Sequence, residues 1–160
     1  MINIIVAVTL DNAIGKDGDQ LYYIKEDLKR FKELTTGNTI VMGSNTFDAL
    51  PKGALPNRLN IVLTRNGEKS FPGAITTTTP TEAVAAAQGE VYIIGGEQIY
   101  RLFMPLAQRI YLTEINVLRP DATKYFPAID SEMWKEVSTG EWLADERTGV
   151  EYRFKILDRC

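Results

Sequence analysis

Apolar, β-branched runs of strand length recur along this chain, each followed by a turn signal and then by helical spacing. "INIIVAV" (2–8), "NTIVMG" (38–43), "LNIVLT" (59–64), "VYIIGG" (91–96) and "RIYLTEINV" (109–117) read as buried strands. Between them, 25–36, 44–50, 80–88 and 97–106 read as helices; Pro80 ahead of an Ala run marks the third. Residues 11–20 and "PKGALPNR" read as loops by their Gly, Pro, Asp and Asn content. Strand–helix–strand alternation with short connections predicts an α/β fold with a mostly parallel central sheet and flanking helices. Two longer alternating segments, 133–142 and 150–158, joined by "ADERTG", predict a C-terminal antiparallel hairpin. No repeat, low-complexity tract or linker breaks residues 1–160, so a single domain is expected.

Composition narrows the chemistry. The chain has no histidine, which removes Ser-His-Asp and Cys-His catalysis and imidazole metal sites. Its single cysteine, Cys160, allows neither an intramolecular disulfide nor a thiolate cluster, and no metal is expected. The net charge is -3 with no basic block, so nucleic acid is not an expected partner. The apolar runs are far shorter than a membrane span. Met1 is followed at once by a strand rather than by a signal-peptide pattern, so a cytoplasmic location is expected. The chemistry must rest on carboxylates, hydroxyls, Lys or Arg, backbone N–H groups or a borrowed cofactor.

In sheets of this kind ligands bind beyond the carboxyl ends of the strands. The helix at 25–36 adjoins that region. Side chains three and four apart share a face, which puts Ile24, Asp27, Leu28, Phe31 and Leu34 on one stripe. Glu26, Lys29, Arg30 and Glu33 fall opposite, with Glu26–Arg30 and Lys29–Glu33 as candidate ion pairs. Asp27 then has two readings. It is a first-turn acid favoured by the helix dipole, or a carboxylate at the edge of an apolar pocket, satisfied by a ligand with paired N–H donors.

Two strand-to-helix turns invite an anion. In "IIGGEQIY" (93–100) small residues admit a ligand to the backbone, and the first-turn N–H groups are free to bind it. "VMGSNTFDAL" (41–50) repeats the arrangement, with Gly43 followed by Ser44, Asn45 and Thr46. Each could equally be a tight turn or a capped helix start. Together they suit the two ends of a dinucleotide. Arg58 and Arg65 lie in loops beside strand ends, where a lone Arg is either a surface charge or an anion contact.

In order and spacing, "IIVAV" with "AIG", "EDLKRFK", "VMGSNTF", "LPNRLNIVLTR", "VYIIGGEQIY", "IYLTEI" and "YFP" resemble the dihydrofolate reductase family over essentially the whole chain. The resemblance implies an NADPH-dependent reductase of dihydrofolate that also binds antifolate-type ligands and is monomeric. It matches Asp27 to the pterin-binding acid, and Ile5, Val6, Ala7, Leu28, Phe31, Leu50, Leu55, Ile94 and Tyr100 to the walls of that pocket. Thr113 matches the hydroxyl linked to the acid, and Arg58 the grip on the substrate's glutamate tail. Ala7, Ile14, Gly15, Gly43, Ser44, Asn45 and Thr46 match positions around NADPH. So do Ile94, Gly95, Gly96, Glu97, Gln98, Ile99, Tyr100 and Thr123, while Leu63, Thr64 and Arg65 match the neighbourhood of the adenosine 2′-phosphate. Leu21-Tyr22 stands where the family usually places Pro-Trp, so Tyr22 is matched to the residue that holds an active-site water. Ser44 stands where Arg or Lys is common, and "RPDATKYFP" is one residue longer than the usual pattern.

Overall fold

The computed structural model describes residues 1–65, 67 and 69–160. Its core is a nine-stranded sheet. The inner strands are β1 (Ile2–Thr9), β4 (Thr39–Gly43), β5 (Leu59–Leu63), β6 (Ala74–Thr77), β7 (Val91–Ile93) and β8 (Arg109–Ile115). They run parallel in the order β8-β1-β7-β4-β5-β6. The tail adds β10 (Trp134–Thr139), β11 (Leu143–Ala144) and β12 (Glu151–Arg159), all antiparallel, with β12 paired to β8. The expected α/β architecture and its closing hairpin are therefore both present. At the hairpin turn the buried Asp145 accepts from the N–H and hydroxyl of Thr148.

Strand alternation gives the sheet two cores. In β4, Val41 packs on one side while Ile40 and Met42 pack on the other; in β7, Val91 and Ile93 oppose Tyr92. The side of Ile4, Val6 and Val41 is covered by α3 (Pro80–Ala86) and α4 (Glu97–Phe103) through Ala83, Ile99 and Phe103. The side of Ile5, Met42 and Tyr111 is covered by α1 (Lys25–Thr35) and α2 (Ser44–Ala49) through Leu34 and Phe47. No helix among the described residues is long and apolar enough to cross a membrane.

Several boundaries differ from those expected, each for a local reason. The strand at 91–96 stops at Ile93, because Gly95 turns to φ +121° and the chain leaves the sheet. The helix expected over 97–106 stops at Phe103, ahead of Pro105, which has no N–H to continue it. The helix at 80–88 begins as expected, with the Thr79 hydroxyl accepting from Glu82 N–H, but ends at Ala86. Residues 11–20 are not all loop: β2 (Ala13–Lys16), β3 (Asp19–Gln20) and β9 (Lys124–Tyr125) form a second, three-stranded sheet. These strands and β6 were not anticipated, being too short to show a period.

Candidate active site

Asp27 lies in the first turn of α1 and points at the sheet. The Thr113 hydroxyl of β8 donates to its Oδ1 at 2.5 Å. Among the described residues that is the one hydrogen bond this carboxylate receives. Burial pushes its pKa up from the ordinary 3.8, while the Thr113 bond and the charge of Arg30 pull the other way. Of the two readings of Asp27, the structure favours the pocket.

The walls follow from strand and helix periodicity. Thr113 pairs with Ala7 in register, and Ile5 lies one alternation away on the same face of β1. Ile5, Leu50, Leu55 and Ile94 are half-buried against the α1–α2 core, and Phe31 is half-buried on α1. Leu28, on the same stripe as Asp27, is 47% exposed. These are large apolar side chains left partly open beside a carboxylate, unlike the fully buried core below them. Val6 departs from the expected set. Its side chain packs with Ile4 and Val8 in the other core, because neighbouring strand residues face opposite ways.

Arg58 is tied to the C-terminal end of α1. Its Nε donates to the Pro56 carbonyl at 2.9 Å and its Nη1 to the Thr35 hydroxyl at 3.1 Å. Thr35 in turn donates to the Phe31 carbonyl at 2.8 Å, so the guanidinium is fixed to the end of α1. Burial pushes its pKa down, which marks a partly desolvated cation.

At the carboxyl ends of β4 and β7 the two glycine turns meet. Gly43 N–H donates to the Gly95 carbonyl at 2.9 Å, and the Gly95–Gly96 peptide is cis. A Cβ on Gly43 would come within 3.0 Å of Ile99 Cγ1, and one on Gly95 within 3.4 Å of the Tyr100 ring. At Gly95 it is the backbone, at φ +121°, that calls for glycine, and at Gly43 a side chain would press on Ile99. Tyr100 is buried, and its hydroxyl donates to the Ile5 carbonyl at 2.9 Å; burial pushes its phenol far above the ordinary range. No side chain caps α2 or α4, whose N-caps are Gly43 and Gly96. Ser44 and Thr46 are half-buried there, and Asn45 and Gln98 are exposed.

Other expected cofactor residues have different local roles. The Leu63 side chain is buried in the core, and Gly15 is required by the β2–β3 hairpin, where a Cβ would lie 3.0 Å from the Asp19 carbonyl. Glu97 Oε1 accepts from Tyr125 N–H at 3.1 Å, so its carboxylate ties β9 to α4. The Thr123 hydroxyl accepts from Asp17 N–H at 2.9 Å, and Thr123 N–H donates to Gly15 at 3.0 Å, fastening the β2 segment with Ile14 beside it. Thr64 N–H donates to the Thr77 carbonyl at 3.0 Å, and Arg65 is exposed beyond the end of β5. Tyr22 packs with Ile24, Ile115 and Tyr152, and the Arg119 guanidinium lies 5.6 Å from its ring centre.

Arg30 departs from the solvent face that its spacing predicts. Arg30 is not a solvated partner of Glu26. It is half-buried, with its guanidinium 4.4 Å from the Phe154 ring centre and 5.5 Å from that of Tyr111. Its i,i+3 spacing from Asp27 was the signal for this.

A family profile described as dihydrofolate reductase matches residues 1–159. The dihydrofolate reductase of Mycobacterium leprae is 40% identical, covering 99% of this chain and 98% of that protein. That of Bacillus subtilis is 34% identical, covering 99% and 95%. A solved structure of the Enterococcus faecalis dihydrofolate reductase, complexed with NADP(H) and RAB-propyl, superposes with a TM-score of 0.91 at 31% identity, covering 99% of this chain and 96% of that one. With an acid bonded to a β8 hydroxyl, and two glycine turns meeting at adjacent strand ends, the chain belongs to the dihydrofolate reductase family of oxidoreductases, which reduce dihydrofolate to tetrahydrofolate.

Proposed function

We propose that this chain reduces 7,8-dihydrofolate with NADPH, by hydride transfer to pterin C6 and water-mediated protonation of N5. The observation that carries this reading is the Asp27–Thr113 pair at 2.5 Å on a helix stripe that leaves Leu28 exposed and Phe31 half-buried. Asp27 Oδ2 is available to a heterocycle that offers two adjacent N–H donors, as pterin N3 and its 2-amino group do. An antifolate-type diaminopyrimidine presents the same edge. Leu28, Phe31 and Leu50 would give the ring apolar faces, and the partly desolvated Arg58 would take the carboxylate of the glutamate tail.

The donor set fits NADPH. Gly43 and Gly96 are half-buried at adjacent strand ends, and the first-turn N–H groups of α2 and α4, which follow them, lack side-chain caps. Arg65, exposed just past β5, would offer its charge to the adenosine 2′-phosphate, with Thr64 beside it, and favour NADPH over NADH. Bound there, NADPH supplies the hydride. The chain's own work is positioning and electrostatics. Asp27 orients the pterin and its negative charge raises the basicity of N5; a water held near Tyr22 brings the proton. The β2 segment, fastened by Thr123 to Gly15 and Asp17, keeps bulk water away.

Loss of NADPH absorbance on adding dihydrofolate tests the reading. Turnover is expected, with a higher kcat/KM for NADPH than for NADH. No consumption with dihydrofolate would sink the substrate assignment, and equal values for the two cofactors would sink the role of Arg65.

A further inference from the structure

Arg30 is half-buried on α1, with its guanidinium over two aromatic rings. It follows Asp27 by three residues on α1, which puts the two side chains on neighbouring positions of one helix face. It lies, half-buried, in an open surface cleft that it shares with Glu26, Lys29, Glu33 and Phe154. Its guanidinium rests on Phe154 at 4.4 Å and Tyr111 at 5.5 Å, both within the range of a cation over an aromatic face. These rings are tied to the site. Phe154 of β12 is the direct cross-strand partner of Thr113, and Tyr111 is two residues from Thr113 on the same face of β8. The cation is therefore seated beside the hydroxyl that bonds Asp27.

We propose that Arg30 is a positioning residue for the reaction: seated on Phe154 and Tyr111, its guanidinium acts on Asp27 through space, without direct contact, and favours the carboxylate that Thr113 bonds. The inference rests on the reading of Asp27 as the pterin-holding acid. Without a nearby cation, burial would favour the protonated acid, which cannot accept a pair of N–H bonds on both oxygens. An Arg suits the task because it stays charged when half-buried, and its planar face stacks on rings.

No other cation does this work among the described residues. The other titratable groups that feel Asp27 are the phenols of Tyr100 on α4 and Tyr152 on β12, while Arg30 itself faces Tyr111 on β8 and shares its cleft with Glu26, Lys29 and Glu33 of α1. Arg153, next to Phe154, is bonded to Glu114 on the opposite face of the sheet. Arg109 is taken by Asp158, Arg119 by Asp121, and Arg58 by Thr35 and Pro56. Tyr100 adds no positive charge and, buried, remains neutral.

The test is the carboxyl-carbon NMR titration of Asp27 in the ligand-free chain, with the signal assigned by its loss in Asp27→Asn. Arg30→Met keeps the apolar stem over the rings and removes the charge; Arg30→Lys keeps the charge. The midpoint is expected to rise by about one pH unit in Arg30→Met and by less than half as much in Arg30→Lys. The acid limb of kcat/KM for dihydrofolate should move with it. Should Arg30→Met fail to fold, Arg30→Gln makes the same comparison. An unmoved midpoint in the neutral variant, or equal movement in the neutral and Lys variants, overturns the proposal. Because the titration is read without ligand, a parent chain that fails to turn over dihydrofolate would sink the functional reading and leave this result standing on its own.

Discussion

Thr113 and Glu114 are neighbours on β8, and they face opposite sides of one sheet. On Glu114's side the carboxylate is saturated: Arg153 reaches it at 2.7 Å and Lys155 at 3.4 Å, and Lys155 also bonds Glu136 at 2.9 Å. On Thr113's side Asp27 has, among the described residues, one hydroxyl as its hydrogen-bond partner, with the Arg30 cation on the nearby rings of Phe154 and Tyr111. The first is a carboxylate whose partners are all supplied by the protein. The second is buried before its partners are complete, and burial raises its pKa where the Lys155 bond lowers that of Glu136. A charge that the fold leaves short of partners is a charge kept for a ligand.

Substitutions on the two faces should therefore act on different observables. The largest effect belongs to Asp27→Asn. Its kcat/KM for dihydrofolate is expected to fall by about a hundredfold or more at neutral pH, and to recover partly at low pH, where the substrate arrives already protonated. A variant with parent-like activity would remove Asp27 from the mechanism. Arg58→Ala comes next. Its KM for dihydrofolate should rise by about tenfold or more, the worth of a charge-assisted pair, with a smaller rise for a pterin that lacks the glutamate tail. Equal rises for both would rule out the tail contact.

On the other face, Glu114→Gln should leave kcat/KM unchanged and lower unfolding stability by about 1–3 kcal/mol, since Arg153 and Lys155 lose their shared acceptor. Denaturant melts measure this, and a change in kcat/KM without a change in stability would erase the contrast. The smallest effect is expected of Glu136→Gln, because that pair is half exposed: a few tenths of a kcal/mol, vanishing in high salt. The pH dependences should have opposite signs. Glu136 is held below the ordinary 4.5, so its contribution is complete above that value and is lost as pH falls through its folded value. Asp27 is raised above 3.8, so its cost to folding appears as pH rises from there toward its folded value and persists above it.

The sequence carried most of this site because helices and strands have different periods. A spacing of three and four put Asp27 in the stripe of Ile24, Leu28 and Phe31, and an alternation of two separates Thr113 from Glu114. The parallel sheet was legible in its long β-branched runs. β2, β3 and β9 were not, since strands of two to four residues show no period, and Gly15 and Thr123 act there in ways that only the folded hairpin makes visible. Val6 was assigned to the pocket by family match although alternation alone sends its side chain to the other core. Arg30 was missed because a charged residue away from an apolar stripe is ordinarily solvated, and the rings that receive it come from residues 111 and 154, far along the chain.

The most direct test of the contrast is the thermal midpoint of ligand-free Asp27→Asn at neutral pH. The Thr113 hydroxyl can still donate to the amide oxygen, while the penalty of a buried charge is gone. The variant is expected to melt above the parent, by about 2–4 °C for each kcal/mol recovered, despite having lost its turnover. A midpoint below the parent's would show that the Asp27 carboxylate stabilises the fold, and would contradict its assignment as a group reserved for the ligand.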